Sequence, residues 1–142
     1  WGVFPFVIGL FVAVRGLENL GIVGRSSEWL LHLRPGSPES LLAVSGATAV
    51  ASNVVNNLPA ALIAKSVLWR SHAPTGTVLA ALVGADVGPM VTPFGSLATM
   101  LVLALARREG QEPHAGRMVM LGLWATPMIV VATTVALIVS LH

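Results

Sequence analysis

The sequence predicts an all-α, polytopic membrane protein. The first observation is composition: 55% of the 142 residues are hydrophobic and only 10% are charged, whereas a globular chain usually carries roughly 25% charged residues. The second is arrangement, because long uncharged apolar stretches alternate with short polar ones. A water-soluble monomer of this composition would expose a mostly apolar surface, which lipid accepts and water does not. The sequence therefore favours a chain embedded in a bilayer.

The first apolar stretch predicts a transmembrane helix over residues 1–22. Residues 3–14 carry no charge, and about 20 residues span the hydrocarbon core of a membrane. Arg15 and Glu18 would then lie in the last turns, where long side chains can pair or reach the interface. We expect a polar loop over residues 23–36 to follow.

The next stretch, residues 38–70, predicts either one transmembrane helix or a re-entrant hairpin. It begins with Ser-Pro-Glu at 37–39, which combines a capping hydroxyl, a proline suited to the first helical position and an acid near the positive end of the helix. Three asparagines crowd its centre and Pro59 follows them. Amides at mid-membrane depth need partners or water, and proline kinks a helix. These residues favour the hairpin, with a first helix over 38–51 that is too short to cross about 30 Å of hydrocarbon.

Residues 76–107 predict a broken transmembrane helix. Two prolines and three glycines fall between residues 84 and 95, a density of helix breakers that excludes one continuous helix. Ser96 is suited to cap the helix that resumes after them. We expect a helix, an unwound stretch and a second helix, in the order 76–86, 87–95 and 97–107.

The last apolar stretch predicts a transmembrane helix over residues 118–141. A polar loop over residues 107–117 precedes it, and the stretch itself carries no charge. Its length is sufficient to span a bilayer. Pro127 lies inside it and predicts a kink.

The sequence lacks the residues that several functional classes of protein require. Eight basic residues against six acidic ones, a net charge of +2, leave no basic stripe for nucleic acid. Without cysteine there is no disulfide or thiolate metal site, and the four histidines lack the spacing of metal ligands. The motifs of zinc proteases, serine hydrolases and phosphate-binding loops are also absent from the sequence. We therefore expect no enzyme activity, no cofactor and no metal site.

Two broken segments in succession are the main functional signal. Discontinuous helices are typical of the binding sites of secondary transporters, because the ends of half-helices present N–H and carbonyl groups to a ligand. Channels also break their helices. The pattern by itself leaves a channel as an alternative.

Two motifs lie within these broken segments. Residues 52–59 read SNVVNNLP, and residues 84–99 read GADVGPMVTPFGSLAT. In content, order and spacing they resemble the two signatures of the bacterial arsenite/antimonite efflux pump membrane protein family. That family belongs to the ion transporter superfamily, which includes sodium-coupled carboxylate transporters.

The resemblance implies both a fold and an activity. Family members contain two inverted repeats, each with a re-entrant hairpin and a helix unwound at a Thr-Pro-x-Gly stretch. This chain would be a C-terminal repeat fragment with its hairpin tip at Ser52-Asn53 and its unwound part at 89–95, and the N-terminal repeat would be its partner. The family exports arsenite and antimonite across the inner (plasma) membrane, coupled to protons or to a separate ATPase subunit. The hairpin would lie on the outer side and the loop 107–117 in the cytoplasm.

The resemblance also points to a polar substrate- or ion-binding site. Arsenous acid is mainly an uncharged trihydroxy species near neutral pH, so amides, hydroxyls and exposed backbone suit it. A structural role is the alternative, because asparagine and serine also cap helices and turns, and we expect Asn56 to support the turn. The candidates are Ser52, Asn53, Asn56, Asn57, Thr92, Gly95, Ser96 and Thr99.

Asp86 is the only aspartate in the sequence and is the candidate for proton coupling. We expect it beside a helix break near mid-depth, where a carboxylate is costly and marks a functional position. Capping of a half-helix, or pairing with an arginine of the N-terminal repeat, are the alternatives. For the chain as a whole, a sodium-coupled carboxylate or anion carrier and a non-transporting structural fragment also stay open.

Overall fold

The structure, a computed structural model, describes residues 3–110 and 115–141. Within these ranges it contains seven α-helices, one 3-10 turn and no β-strand, which confirms the all-helical prediction. The 3-10 turn, Gly88–Met90, directly follows the fifth helix. The helices are α1 (Val3–Asn19), α2 (Ile22–His32), α3 (Pro38–Val55), α4 (Asn57–Arg70), α5 (Thr75–Val87), α6 (Leu97–Arg108) and α7 (Ala115–Leu141).

Two helices begin with the predicted capping chemistry. At the start of α3, the Ser37 hydroxyl accepts a hydrogen bond from the Ser40 amide at 3.2 Å. At the start of α6, the Ser96 hydroxyl accepts one from the Ala98 amide, also at 3.2 Å. Each bond satisfies one of the amides that the first turn of a helix leaves without a carbonyl partner.

The polar loop expected over residues 23–36 is wrong for most of its length, because α2 occupies it up to His32. The charged residues of this segment lie on one face of an amphipathic helix. Arg25 and Glu28 are exposed, whereas Ser27 is buried and Leu30 is only 1% exposed. Such a division between two faces is typical of a surface helix packed on a core.

Helices α3 and α4 form a helical hairpin around a one-residue break at Asn56. Val44 of α3 and Val67 of α4 belong to one buried hydrophobic cluster, and they lie at nearly equal distances along the chain from the break. The two helices therefore run side by side in opposite directions. Leu68 of α4, Leu30 of α2 and Ala81 of α5 also belong to the cluster, so α2 and α5 both pack against the hairpin.

The first arm of this hairpin is longer than expected, because α3 continues past residue 51 to Val55. Ser52 and Asn53, which we expected at the tip, lie in the last turns of α3. The hydroxyl of Ser52 donates to the carbonyl of Thr48, one turn earlier, at 2.8 Å. A polar side chain satisfied in this way by its own helix does not need to leave the helix.

Helices α3 and α5 approach each other closely through small residues. A Cβ on Gly84 of α5 would overlap the carbonyl oxygen of Ser45, so only glycine fits at this position. Ala80 and Ala81 of α5 are also buried. Small residues at helix contacts are typical of membrane proteins, where close backbone packing replaces the hydrophobic effect between helices.

Helix α7 is the described helix that is long and apolar enough to cross a membrane by itself, because an 18-residue window within Gly116–Leu141 has a mean hydropathy of 2.0. Helices α1 and α2 would provide a second span if they were taken together, although they are bent by 64° relative to each other. Inside the protein, the hydroxyl of Thr134 on α7 donates to that of Ser45 on α3 at 3.0 Å. This buried hydrogen bond connects the long helix to the hairpin.

The chain between α5 and α6 is unwound. The 3-10 turn ends at Met90, and residues 91–96 are irregular before α6 begins, close to the stretch expected at 87–95. Helix α6 itself has no buried residue in the described chain. The unwound stretch therefore links a helix packed inside the protein to one that extends from it.

Candidate functional site

The break in the hairpin contacts the unwound stretch between α5 and α6. The backbone N–H of Asn57 donates to the carbonyl of Gly95 at 2.9 Å, and Nδ2 of Asn56 donates to the carbonyl of Phe94 at 2.9 Å. The two motifs, far apart in sequence, thus meet in space. We call residues 53–57 and 88–96 together the junction.

Asn53 makes more side-chain contacts across the junction than its neighbours. Its Nδ2 donates to the carbonyls of Ala49, at 2.9 Å, and Gly88, at 2.6 Å. Its Oδ1 accepts from the backbone N–H of Thr92, at 3.0 Å, and from the Thr92 hydroxyl, at 2.9 Å. An asparagine amide offers two donors and two acceptor positions, so all four are occupied. Asn53 thereby holds both ends of the segment 88–92 against α3.

Gly95 is required at the junction by the closeness of its neighbours. A Cβ there would lie 2.7 Å from the Cα of Pro89, 2.8 Å from the Pro89 carbonyl oxygen and 3.1 Å from Oδ1 of Asn53. Contacts below 3.0 Å to backbone atoms cannot be relieved by a side-chain rotation. The Gly95 amide also donates to the Thr92 carbonyl at 3.1 Å, which closes the unwound stretch into a compact turn.

Asn56 combines an unusual backbone with an unpaired polar atom. Its φ of 78° and ψ of 154° belong to a region that residues with a Cβ rarely adopt. The residue is 6% exposed, and its Oδ1 has no hydrogen-bond partner. The support of the turn by Asn56 stays a prediction, and the bond from Nδ2 to the Phe94 carbonyl is the contact that would provide it.

Three of the candidate side chains keep free polar groups. The Asn57 amide is half-buried and has no side-chain hydrogen bond within the described residues. Ser96 uses its hydroxyl oxygen to cap α6 and retains its own hydrogen as a donor. Thr99, in the first turn of α6, is half-buried. These groups can offer donors and acceptors to a ligand without breaking a side-chain bond to the described chain.

Two candidates, Ser52 and Asp86, lie outside the junction. Ser52 is fully buried and its hydroxyl donates within α3. Asp86, in the last turns of α5, is exposed and makes no ion pair within the described residues. Of the seven other candidates, six belong to the junction and Thr99 adjoins it; the six are Asn53, Asn56, Asn57, Thr92, Gly95 and Ser96.

Gly88 and Phe94 contribute to the junction although neither was a predicted site residue. Both act through backbone carbonyls, as the acceptors for Asn53 and Asn56. Every residue has such a carbonyl, so residue type carries no indication of which one will face the hairpin. The glycines and prolines around them did indicate that helical pairing would be interrupted here.

The junction is polar but uncharged. The hydrogen bonds that build it involve amides, hydroxyls and backbone groups. Among the residues that the structure describes, no group of three or more His, Asp or Glu side chains could hold a metal ion. The polar groups that remain free at the junction can therefore both donate and accept hydrogen bonds.

The chain is similar along nearly its whole length to known proteins. A family model described as arsenical pump membrane protein matches residues 1–141. The chain is 31% identical over 147 residues to an arsenical pump membrane protein of Escherichia coli, covering 99% of this chain and 34% of that protein. Proteins of the same name from Shigella flexneri and Yersinia enterocolitica are each 30% identical, with the same coverage. No solved structure matches the chain.

These matches extend far beyond the two motifs. They include α1, α2 and α7, which carry no signature residues. The chain spans about a third of the length of the relatives that it matches. The resemblance seen in the motifs is thus confirmed over the whole segment, and the chain belongs to the arsenical pump membrane protein family.

Proposed function

We propose that the chain carries part of the pathway by which arsenite and antimonite leave the cell across the inner membrane. The main support is the junction, where two interrupted helical segments meet through neutral polar groups. Transporters place substrate sites at such interruptions. The names of its relatives identify them as arsenical pump membrane proteins.

Arsenous acid fits the chemistry of the junction. It is an uncharged molecule with three hydroxyl groups, so each oxygen can donate and accept. The amide of Asn57 and the hydroxyls of Ser96 and Thr99 are the groups proposed to contact it first, because none has its donor hydrogen committed to a described partner. Asn53, Thr92 and the other junction residues shape the site around them.

We also propose that the hairpin is re-entrant. At about 1.5 Å per residue, the 18 residues of α3 and the 14 residues of α4 give arms of about 27 Å and 21 Å, whereas the hydrocarbon core is about 30 Å thick. Irregular backbone at that depth is tolerated only inside protein or beside a water-filled cavity. The junction would satisfy this condition if an N-terminal repeat covered it.

Proton exchange at Asp86 is the proposed source of coupling, alone or with a separate ATPase subunit. Its carboxylate is exposed beside the unwound stretch, so it is accessible to a proton or to a basic residue of the N-terminal repeat. A carboxylate at membrane depth is costly unless it serves such a purpose. The neighbouring lipid and the N-terminal repeat are the other proposed partners of the chain.

The test is arsenite accumulation in everted membrane vesicles that hold the chain joined to an N-terminal repeat. With a proton gradient, we expect accumulation in the wild type and about a tenfold or greater loss of initial rate in Asn57→Ala, since a substrate hydrogen bond would be missing. Asn19→Ala is the matched control, because this asparagine is exposed at the end of α1. No accumulation by correctly inserted wild type would refute the proposal.

Coupling is tested in the same vesicles with Asp86→Asn. We expect the variant to lose the dependence of uptake on the proton gradient while still exchanging arsenite between the two sides. Glu39→Gln, an exposed acid in the first turn of α3, serves as the control. Unchanged gradient dependence in Asp86→Asn would exclude Asp86 as the proton carrier.

A further inference from the structure

The Asn53 side chain lies at the centre of the junction yet has no hydrogen-bonding position left for a ligand. Both hydrogens of Nδ2 and both acceptor positions of Oδ1 are used, by Ala49, Gly88 and Thr92. A substrate could bind this amide only by displacing one of these partners. Asn53 is therefore placed to position the unwound stretch rather than to contact the substrate in this arrangement.

Asn56 destabilises the junction through its backbone angles and its unpaired oxygen, whereas Asn53 stabilises it. Its backbone is held at φ 78° and ψ 154°, where a Cβ is unfavourable. Its Oδ1 is enclosed without a partner, and a buried acceptor that lacks a hydrogen bond destabilises the structure around it. The bonds from Asn56 to Phe94 and from Asn57 to Gly95 keep the residue in this position. Separation of the hairpin from the unwound stretch would release these two bonds and open the surroundings of Oδ1 to another partner.

We infer that the junction is a two-state contact, in which Asn53 holds the unwound stretch against the hairpin and Asn56 opposes that arrangement. Asn53 and Asn56 are three residues apart in the sequence, and both act on the same segment, residues 88–96. Opposed contributions of this kind keep two arrangements close in free energy, which a carrier needs if a ligand is to shift their populations.

The groups that become exposed when the hairpin and the unwound stretch separate indicate which class of ligand would stabilise the separated arrangement. Separation exposes the carbonyls of Gly88, Phe94 and Gly95 as acceptors and leaves the Asn53 amide with both donors and acceptors. A neutral molecule with several hydroxyl groups could replace these bonds, whereas an oxyanion would be repelled by the carbonyl oxygens. This part of the inference rests on the proposed function; the two-state contact itself does not.

Hydrogen exchange of backbone amides, followed by mass spectrometry in lipid nanodiscs, tests the inference on the chain joined to an N-terminal repeat. The reporters are the amides of Thr92 and Asn57, which donate across the junction. The Ala98 amide, bonded locally to Ser96, is the internal control. No ligand is added, so the result does not depend on arsenite transport.

Asn53→Ala should increase exchange at both reporters by about tenfold or more, since several hydrogen bonds are lost at once. Thr92→Val removes a single hydroxyl donor and should give a smaller increase in reporter exchange. This variant keeps the test possible if Asn53→Ala does not insert into the membrane. Asn56→Gly allows the observed backbone angles and removes the unpaired oxygen, but it also removes the Nδ2 bond to the Phe94 carbonyl. If the net effect of Asn56 opposes the junction, exchange at the reporters should slow in this variant. Exchange at Ala98 should not change in any variant.

The possible failures are distinct. Unchanged reporter exchange in both Asn53→Ala and Thr92→Val would overturn the positioning role of Asn53. Faster exchange in Asn56→Gly would show that Asn56 merely supports the junction and would overturn the two-state contact. If exchange behaves as expected but the vesicles accumulate no arsenite, the proposed function fails and the two-state contact stands.

Discussion

At the scale of single residues, three asparagines of one motif have different roles because their surroundings differ. Asn53 lies in the last turn of a helix, where its amide reaches across to a neighbouring segment. Asn56 lies in the break and adopts a left-handed φ, which asparagine tolerates better than most residues. Asn57 begins the next helix and contributes its backbone N–H. Position relative to the helix end, not residue type, determines each role.

Gly95→Ala tests the close packing of the junction. The added Cβ would meet backbone atoms of Pro89 below 3.0 Å, so the unwound stretch must shift. We expect loss of arsenite accumulation and a fall of about 1–3 kcal/mol in the free energy of unfolding, measured by denaturation in detergent. Gly46→Ala is the control, because a Cβ at Gly46 of α3 meets no atom within 4 Å. Equal stability of the two variants would contradict the packing described.

At the scale of elements, the hairpin is held by close helix contacts and a few buried polar bonds. Gly84 lets α5 approach α3, and the Thr134–Ser45 hydrogen bond connects α7 to α3. Both features involve the first arm of the hairpin, which also carries Asn53. Helices α3, α5 and α7 are thus packed together, and the unwound stretch leads from α5 to α6.

Thr134→Val tests the connection between α7 and α3. The variant keeps the shape of the side chain and removes the donor to Ser45, whose own hydroxyl still donates to the Leu42 carbonyl at 3.1 Å. We expect a decrease of about 0.5–1.5 kcal/mol in the free energy of unfolding. Thr133→Val, at an exposed neighbouring position, should change stability less. A double-mutant cycle with Ser45→Ala would isolate the pair, and a coupling energy of zero would exclude it as a stabilising contact.

At the scale of the whole molecule, much of the described surface is apolar and faces outward. Helix α6 has no buried residue within the described chain, and α7 exposes Leu121, Trp124 and Met128. Such surfaces are stable against lipid or against further membrane helices. They agree with a segment that covers about a third of the length of its relatives.

Accessibility of single cysteines tests the re-entrant hairpin. The chain has no cysteine of its own, so within it only the introduced cysteine can be labelled. Ser37→Cys and His72→Cys flank the hairpin, and Glu109→Cys follows α6. If the hairpin is re-entrant, an impermeant thiol reagent should label positions 37 and 72 from one side and position 109 from the other. Labelling of 37 and 72 from opposite sides would mean that residues 38–70 cross the membrane once.

Local chemistry could be predicted where it depends on near neighbours in the sequence. Ser37 and Ser96 cap helices as expected, since a cap acts within one helical turn. The glycines and prolines of the second motif mark the unwound stretch for the same reason. The end of α3 was predicted too early, because the polar side chain of Ser52 bonds within its own helix and does not end it. Helix α2 was predicted to be a loop, because its polar residues were not recognised as the outward face of a helix.

The all-helical class, the family and the two places where the helices are interrupted could all be predicted from residue order. They depend on composition, on motifs and on residues that cannot continue a helix. How those two places act together is apparent only from the packing of the helices. The saturated amide of Asn53, the unpaired oxygen of Asn56 and the carbonyls of Gly88 and Phe94 depend on contacts between segments more than 30 residues apart. Such contacts arise from helix packing, which no local pattern of residues specifies.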